Sequence, residues 1–405
     1  MHVAVLGAGV TGISTAWFLS QQGHEVTVFE RNDSVASGTS FANAGQLAYS
    51  YVDAMANPEF VARIPRIVAS RDPGSRFSWR AGFDFSGWIM RFLKQSTARR
   101  AGKNTLALLP VAMKSAALMR ELRDTLSLDF DFRSHGKLVM LRSAGEIENA
   151  QRIADMKREH GCETEIVSIE QATVLEPALS QMEGGYTAAI FAPGDHLGDA
   201  AKFSIALAEV LQRNYAVTFR MREAIEQIKT RHDSIEAIKT IHDEVPVDAA
   251  VACLGVWSDE LLWPLRIRTH ICPIRGYSMT LPIGPHTPTL SVTDPQQRVV
   301  FSRLGQRVRI AGFADFVGFD TAGDRDRTGL LQEVAHRTAP HAADYEASRR
   351  HRWGGFRPMT PTGFPLVGPT KIRGLYLNTG HGSLGWTLAL ATAEQVAADV
   401  SRGGS

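Results

Sequence analysis

Val3-Ala4-Val5-Leu6-Gly7-Ala8-Gly9-Val10-Thr11-Gly12 opens the chain as a short β-branched apolar run that passes straight into a glycine turn. A run apolar at every position reads as a parallel strand buried on both faces. Ile13, Ala16, Trp17 and Leu19 recur at helical spacing and predict a helix from about Val10 to Gln22, stopped by Gly23. Val26-Thr27-Val28-Phe29 predicts a second strand ending at Glu30, which completes a βαβ opening. Gly7-x-Gly9-x-x-Gly12 then has a mechanical meaning. Gly7 permits the tight turn, Gly9 lets backbone approach a pyrophosphate, and Gly12 lets the helix pack closely, while the helix N-terminus around Val10 and Thr11 offers free N–H groups and a positive dipole end. Glu30 stands where an acidic residue accepts hydrogen bonds from an adenosine ribose. Dinucleotide binding is expected, and NAD and FAD both satisfy the motif.

The remaining composition narrows the class. The 405 residues are 44% apolar and 21% charged, with 44 basic against 42 acidic side chains. That is ordinary globular composition, too balanced in charge for a dedicated nucleic-acid binder and long enough for two or three domains. Cys162, Cys253 and Cys272 are an odd number without CxxC spacing, so neither a disulfide framework nor a zinc site is expected, and a reducing cytosol is the natural compartment. The N-terminal run lacks the basic region of an export signal, and glycines or charges interrupt every candidate membrane span.

Beyond Glu30, Gly38 to Gln46 is rich in small side chains that let backbone approach a ligand. Phe60, Val61, Ile64, Ile67 and Val68 form one amphipathic stripe, and Phe85, Trp88, Ile89, Phe92 and Leu93 another. Basic neighbours, among them Arg63, Arg66, Arg91 and Lys94, with Trp79 nearby, allow these stripes either to pack inside or to rest on an anionic membrane surface. Helices are predicted over about 105–125, 144–160, 200–211 and 384–400, and a strand over 137–141. Short strands at 224–228, 235–240 and 245–251 suggest a meander, and those near 271–281, 299–302 and 308–313 a second, largely antiparallel sheet.

Four segments carry a resemblance that spans nearly the whole chain: Val5 to Arg31; Thr39-Ser40-x-Ala42-Asn43-Ala44-Gly45-Gln46; Pro273-x-Arg275-Gly276-Tyr277-Ser278; and Gly355-x-Arg357-Pro358-Met359-Thr360-Pro361 through Asn378-Thr379-Gly380-His381-Gly382-x-x-Gly385-Trp386-Thr387. With Ala252-Cys253-Leu254-Gly255-x-Trp257-Ser258, they resemble the flavin-dependent oxidoreductases of the glycine oxidase and D-amino-acid oxidase superfamily, and within it the bacterial D-amino-acid dehydrogenase small subunits. The resemblance implies an α/β chain with a Rossmann-like domain for noncovalent FAD and a second α+β substrate domain on a largely antiparallel sheet. It places the FAD-binding domain at 1–50, 144–262 and 346–405, and the substrate domain at 51–143 and 263–345.

The implied activity is oxidative deamination of D-amino acids, with electrons passing to a quinone-like or other non-oxygen acceptor and partner subunits possible. Cyclic or N-substituted amino acids are the nearest alternative substrates; an NAD(P)-dependent reductase or a noncatalytic flavoprotein subunit lies further off. Arg357 is carried over as the clamp on the substrate carboxylate, with Arg275 as the second candidate, and Tyr277 as a neighbour on the substrate side of the flavin. Tyr49 and Tyr51 are assigned to the same cavity. The cofactor residues implied are Gly7, Gly9, Val10, Thr11, Gly12, Glu30, Arg31, Ser40, Ala42, Asn43, Ala44, Gly45, Gln46, Gly255, Trp257, Gly380, His381, Gly382, Ser383, Leu384, Gly385, Trp386 and Thr387. The turn from Thr379 to Thr387 would aim backbone N–H groups at the flavin edge that gains negative charge on reduction. A lone histidine such as His381 is more often structural, and no metal is expected. Thr362-Gly363 stands where these proteins usually have Asp-Gly, a departure that bears on substrate range.

Overall fold

The opening strand His2–Leu6 (β1) lies inside a six-stranded sheet, followed by helix Val10–Gln21 (α1) and strand Glu25–Glu30 (β2). In this computed structural model, which describes residues 1–69, 71–78, 85–350 and 352–403, the sheet order is Leu366–Pro369, Leu375–Thr379, Ala249–Ala252, β1, β2 and Val217–Met221. All neighbours are parallel except the first pair. Alternation along β1 explains why every residue of the run is apolar. Val3 and Val5 join the core beneath α1 and the helices Ala200–Asn214 and Gly385–Gly403, while Ala4 and Leu6 join the core on the opposite face, beneath a three-stranded meander.

The meander corrects one expectation. The strand expected at 245–251 is two strands: Glu244–Pro246 closes the meander, and Ala249–Ala252 pairs with β1. Pro246 has no N–H to continue its ladder, and Asp248 then ties the chain to β1, its backbone N–H donating to the His2 carbonyl and its carboxylate accepting from the His2 N–H. The long helix also begins earlier than expected, at Ala98, because Thr97 caps it through Arg100 N–H.

The second sheet has eight strands in the order Arg352–Met359, Cys272–Pro282, Arg307–Asp315, Val299–Leu304, Ser291–Asp294, Lys137–Leu141, Ala188–Ala192 and Glu165–Ser168. One parallel pair, Ser291–Asp294 with Lys137–Leu141, interrupts an otherwise antiparallel array. Three of these strands, Glu165–Ser168, Ala188–Ala192 and Arg352–Met359, fall in segments expected to bind the dinucleotide, so sheet membership cuts across the expected division of the chain. Helix Asp324–Thr338 covers one face of the sheet, packing Leu331, Val334 and Ala335 on Tyr277, Met279 and Leu281.

The two amphipathic stripes turn mainly inward. Ile67, Phe85, Trp88 and Phe92 are buried against Cys272, Ile274 and Met359, and Trp88 Nε1–H donates to the Met359 carbonyl at 3.1 Å. Val68, Met90 and Leu93 stay exposed. Trp79 lies outside the described residues. Among the described residues no helix is long and apolar enough to cross a membrane. Cys162, Cys253 and Cys272 are buried free thiols.

Candidate active site

Because β1, Ala249–Ala252 and Leu375–Thr379 run parallel and adjacent, their C-terminal ends share one edge, which carries Gly7, Gly255 and Gly380. The chain leaves β1 for β2 on one side, and Ala249–Ala252 lies on the other, so this is the point in an open α/β sheet where ligands bind. Gly7 has φ +103°, and a Cβ there would stand 2.9 Å from the Cys253 carbonyl oxygen. A Cβ on Gly12 would stand 1.8 Å from the Gly7 carbonyl oxygen. At Gly9 such an atom would meet only Ser40 Oγ, at 3.5 Å, so the backbone there is open in the direction a pyrophosphate needs. Ser40 Oγ accepts from Val10 N–H at 3.0 Å, and Glu30 accepts from Ala8 N–H at 2.9 Å and from the Asn32 side chain at 2.6 Å.

The small-residue segment crosses the cleft between the two sheets and is pinned along its length. Thr39 Oγ1 donates to the Phe356 carbonyl, Ser278 Oγ to the Ala42 carbonyl at 2.6 Å, and Arg309 to the Asn43 carbonyl. Asn43 Oδ1 accepts from Gly45 N–H, and the Gly45 carbonyl from Gly198 N–H. Gln46 Nε2 donates to Ser291 Oγ and Thr293 Oγ1. Ala48 N–H donates to Thr387 Oγ1, in the first turn of helix Gly385–Gly403. The segment therefore runs from the N-terminal end of α1 to that of the last helix, which fixes it as the floor between two positive dipole ends.

Around the last helix, Gly380 and Gly382 have φ of +78° and +58° and carry the chain through Ser383 and Leu384 to Gly385. The His381 ring is buried, with Nε2 3.0 Å from Thr392 Oγ1, and burial pushes its pKa down to about 3. It is a neutral packing group. Trp386 likewise belongs to the core, its ring tilted against Phe203 and its Nε1–H donating to the Gly198 carbonyl. Arg31 lies 4.3 Å over the Trp257 ring, which stacks on Phe319. Thr362 Oγ1 accepts from Phe364 N–H, so a hydroxyl closes this turn.

Register separates the expected substrate residues. A Cβ on Gly276 would stand 2.6 Å from Arg357 Cζ, so the Arg357 side chain lies over Gly276, on the face whose Ser278 holds the small-residue segment. Arg275 and Tyr277, one residue to either side of Gly276, point to the opposite face. This corrects their expected placement beside the substrate. Tyr277 Oη donates to Asp315 at 2.9 Å under helix Asp324–Thr338, and Arg275 pairs with Asp324. Arg357 forms no ion pair among the described residues. Its Nη1–H donates to the Phe313 carbonyl at 2.7 Å, and burial pushes its pKa down. Phe313 itself has φ +59°, a strained value for a bulky residue, at the bulge between Cys272–Pro282 and Arg307–Asp315. Nothing in the sequence marks this bulge. Tyr49 is buried with its hydroxyl unpaired among the described residues, and Tyr51 lies under Lys137 Nζ at 4.1 Å, both beyond the end of the segment.

A family model described as "FAD dependent oxidoreductase" matches residues 2–399. The chain belongs to this family. Relatives of this FAD-dependent oxidoreductase include the D-amino acid dehydrogenase of Paramagnetospirillum magneticum, 36% identical over 99% of this chain and 95% of that one. D-amino acid dehydrogenase 2 of Ralstonia nicotianae is also 36% identical, over 99% and 97%. The fold matches glycine oxidase from Bacillus cereus with a TM-score of 0.75 at 21% identity, covering 100% of this chain and 95% of that one. L-proline dehydrogenase from P. horikoshii gives the same TM-score at 18% identity, covering 99% and 93%.

Of the two dinucleotides the glycine motif admits, the family's is FAD, and the site fits it. The opening at Gly9 suits a pyrophosphate at the N-terminus of α1, and the segment Thr39–Gln46 with the Gly380–Gly385 turn offers small residues and backbone N–H groups to an isoalloxazine. Among the described residues of this oxidoreductase, no group of three or more His, Cys, Asp or Glu is placed to hold a metal ion.

Proposed function

We propose that this chain is a D-amino-acid dehydrogenase, oxidising D-amino acids to imino acids that hydrolyse to 2-oxo acids and ammonium. When bound, FAD supplies the redox step, accepting a hydride from the substrate Cα. The observation that carries the reading is Arg357. Among the described residues, the buried arginines of the eight-stranded sheet and its cover have protein carboxylates, Arg275 with Asp324, Arg309 with Asp199 and Arg327 with Asp315; the half-buried Arg357 forms no ion pair and feels Asp315 only at longer range. A half-buried guanidinium whose only hydrogen bond among the described residues goes to the Phe313 carbonyl suits a carboxylate delivered by the substrate, because its planar fork makes two parallel charge-assisted bonds. The Phe313 carbonyl fixes its plane, so the substrate's Cα is oriented before any bond breaks. Tyr277 is given no substrate contact; with Asp315 and Arg327 it supports the strand from behind.

The names of the curated relatives support the substrate class, and the word dehydrogenase supports electron transfer to a quinone-like or other non-oxygen acceptor. The visible flavin spectrum, recorded anaerobically before and after adding matched D- and L-amino acids, tests the reaction. Bleaching by D-forms alone is expected; bleaching by neither series overturns the reading. For the acceptor, we assign peripheral membrane contact to the exposed Val68, Met90 and Leu93 with the exposed Arg66, Arg91 and Lys94 near them in sequence; Arg63 is taken up by Asp72. Co-sedimentation with anionic vesicles at low but not high salt is the expected result, and no binding at either salt removes the contact.

A further inference from the structure

Lys137 opens the strand Lys137–Leu141 and is 2% exposed. Buried lysines are ordinarily paired. Its neighbour Lys157 is, donating to Asp53 at 2.7 Å and to the Ser50 carbonyl at 2.8 Å. Lys137 makes no ion pair among the described residues; its Nζ lies 3.4 Å from Gln46 Oε1 and over the Tyr51 ring. The other end of the same carboxamide is held by Ser291 Oγ at 2.6 Å and Thr293 Oγ1 at 3.2 Å. Parallel register sets Ser291 beside Lys137 and Thr293 beside Val139, so two adjacent strands hold both ends of the Gln46 side chain. The ammonium can serve only the oxygen end, which settles the orientation of the amide. Methionine would fill the space without the cost of desolvating a cation, a cost that one long hydrogen bond, the Tyr51 ring and the facing carboxylates only partly offset.

We propose that Lys137 is a positioning residue for the cofactor, fixing through the Gln46 carboxamide the polar group presented to the flavin and holding an ammonium on that side of the site. The inference rests on the reading of Gln46 as a flavin contact. Negative charge gained by the flavin on reduction is favoured by a nearby cation, so the residue raises the tendency of the flavin to be reduced. The charged groups facing Lys137 are Asp195 from the loop before strand His196–Leu197, Asp53 from the loop after the segment, and Lys157 from helix Ala144–Arg158. Burial pushes the Lys137 pKa down to about 8, with Asp195 and Asp53 opposing and Lys157 assisting. The effect on the flavin therefore fades as pH rises through that value.

The test is the midpoint potential of the holoprotein, measured by dye equilibration from pH 6 to pH 10 without substrate. The native curve is expected to bend near pH 8. Lys137→Met is expected to lower the reduction equilibrium constant about tenfold at pH 7, about 30 mV for a two-electron couple, and to abolish the bend. Lys137→Arg should restore the potential at all these pH values. Thermal stability gives the second readout. A lysine whose folded-state pKa is depressed costs stability below that pKa and recovers it as pH rises, so Lys137→Met should melt no lower than the native protein at pH 7. A native potential and a retained bend in Lys137→Met overturn the inference. Gln46→Ala separates the failures. If it shifts the potential while Lys137→Met does not, Lys137 has no such role; if Lys137→Met alone shifts it, the route through Gln46 is wrong; if neither does, Gln46 is not a flavin contact. None of these outcomes depends on the substrate.

Discussion

Arg357→Leu is expected to lower kcat/KM for D-amino acids by about a thousandfold while leaving the flavin bound and the protein folded. Truncating one partner of a desolvated, hydrogen-bonded charge pair costs about 4 kcal/mol, and each 1.36 kcal/mol is a factor of ten. Most of the loss should appear in KM, since the carboxylate is held equally in the ground and transition states, with a smaller fall in kcat from looser orientation of Cα. Folding should not suffer, because the side chain has no ion-pair partner to abandon; only the bond to the Phe313 carbonyl is lost. Arg357→Lys keeps a charge but not the fork, and should fall between the two. Steady-state kinetics with the visible spectrum as a control decides this: native KM in Arg357→Leu removes the clamp from the site.

The second large effect belongs to the glycine turn. Gly12→Ala places a methyl carbon 1.8 Å from the Gly7 carbonyl oxygen, a backbone atom that no rotamer change can move. Either α1 lifts from the turn or β1 shifts against Ala249–Ala252, and both disturb buried packing at a cost of about 4 kcal/mol or more. A protein that is colourless, and melts well below the native one or fails to accumulate, is expected. Gly9→Ala is the matched control, since its added atom would meet only Ser40 Oγ at 3.5 Å. It should fold with native circular dichroism yet retain less FAD, because the atom occupies ground a pyrophosphate needs. Equal flavin content in all three proteins would mean that this turn does not hold the dinucleotide.

Legibility in the sequence tracked the range of the forces involved. β1, α1 and β2 are legible to within a residue or two because strand alternation, helical period and glycine punctuation are all local. Arg357 is legible from its motif alone, and its hydrogen bond to the Phe313 carbonyl is not. The placement of Tyr277 and Arg275 depends on something no local pattern contains. Alternation fixes that Gly276 faces away from them, but which face meets helix Asp324–Thr338 is set by packing of Leu331 and Val334 from more than fifty positions along the chain. The split of 245–251 was partly visible in Pro246, whose missing N–H ends a ladder. Lys137 carried no signal, because a lysine before an apolar run normally marks a strand end in water. The bulge at Phe313 follows from pairing across three strands and leaves no trace in residue type.

The pinned segment from Thr39 to Ala48 also has a consequence for biosynthesis. It is made among the first fifty residues, yet the groups that hold it come from Ser278, Ser291, Thr293, Arg309, Phe356 and Thr387. Ribosomal synthesis therefore delivers the glycine turn early and its enclosing walls last, so a nascent chain spends most of its elongation with a dinucleotide cradle lacking a roof. Each of these distant contacts carries a loop-closure cost, and the one to Thr387 spans the longest stretch of chain. Without that last helix the segment would lack the anchor that Thr387 Oγ1 gives Ala48 N–H.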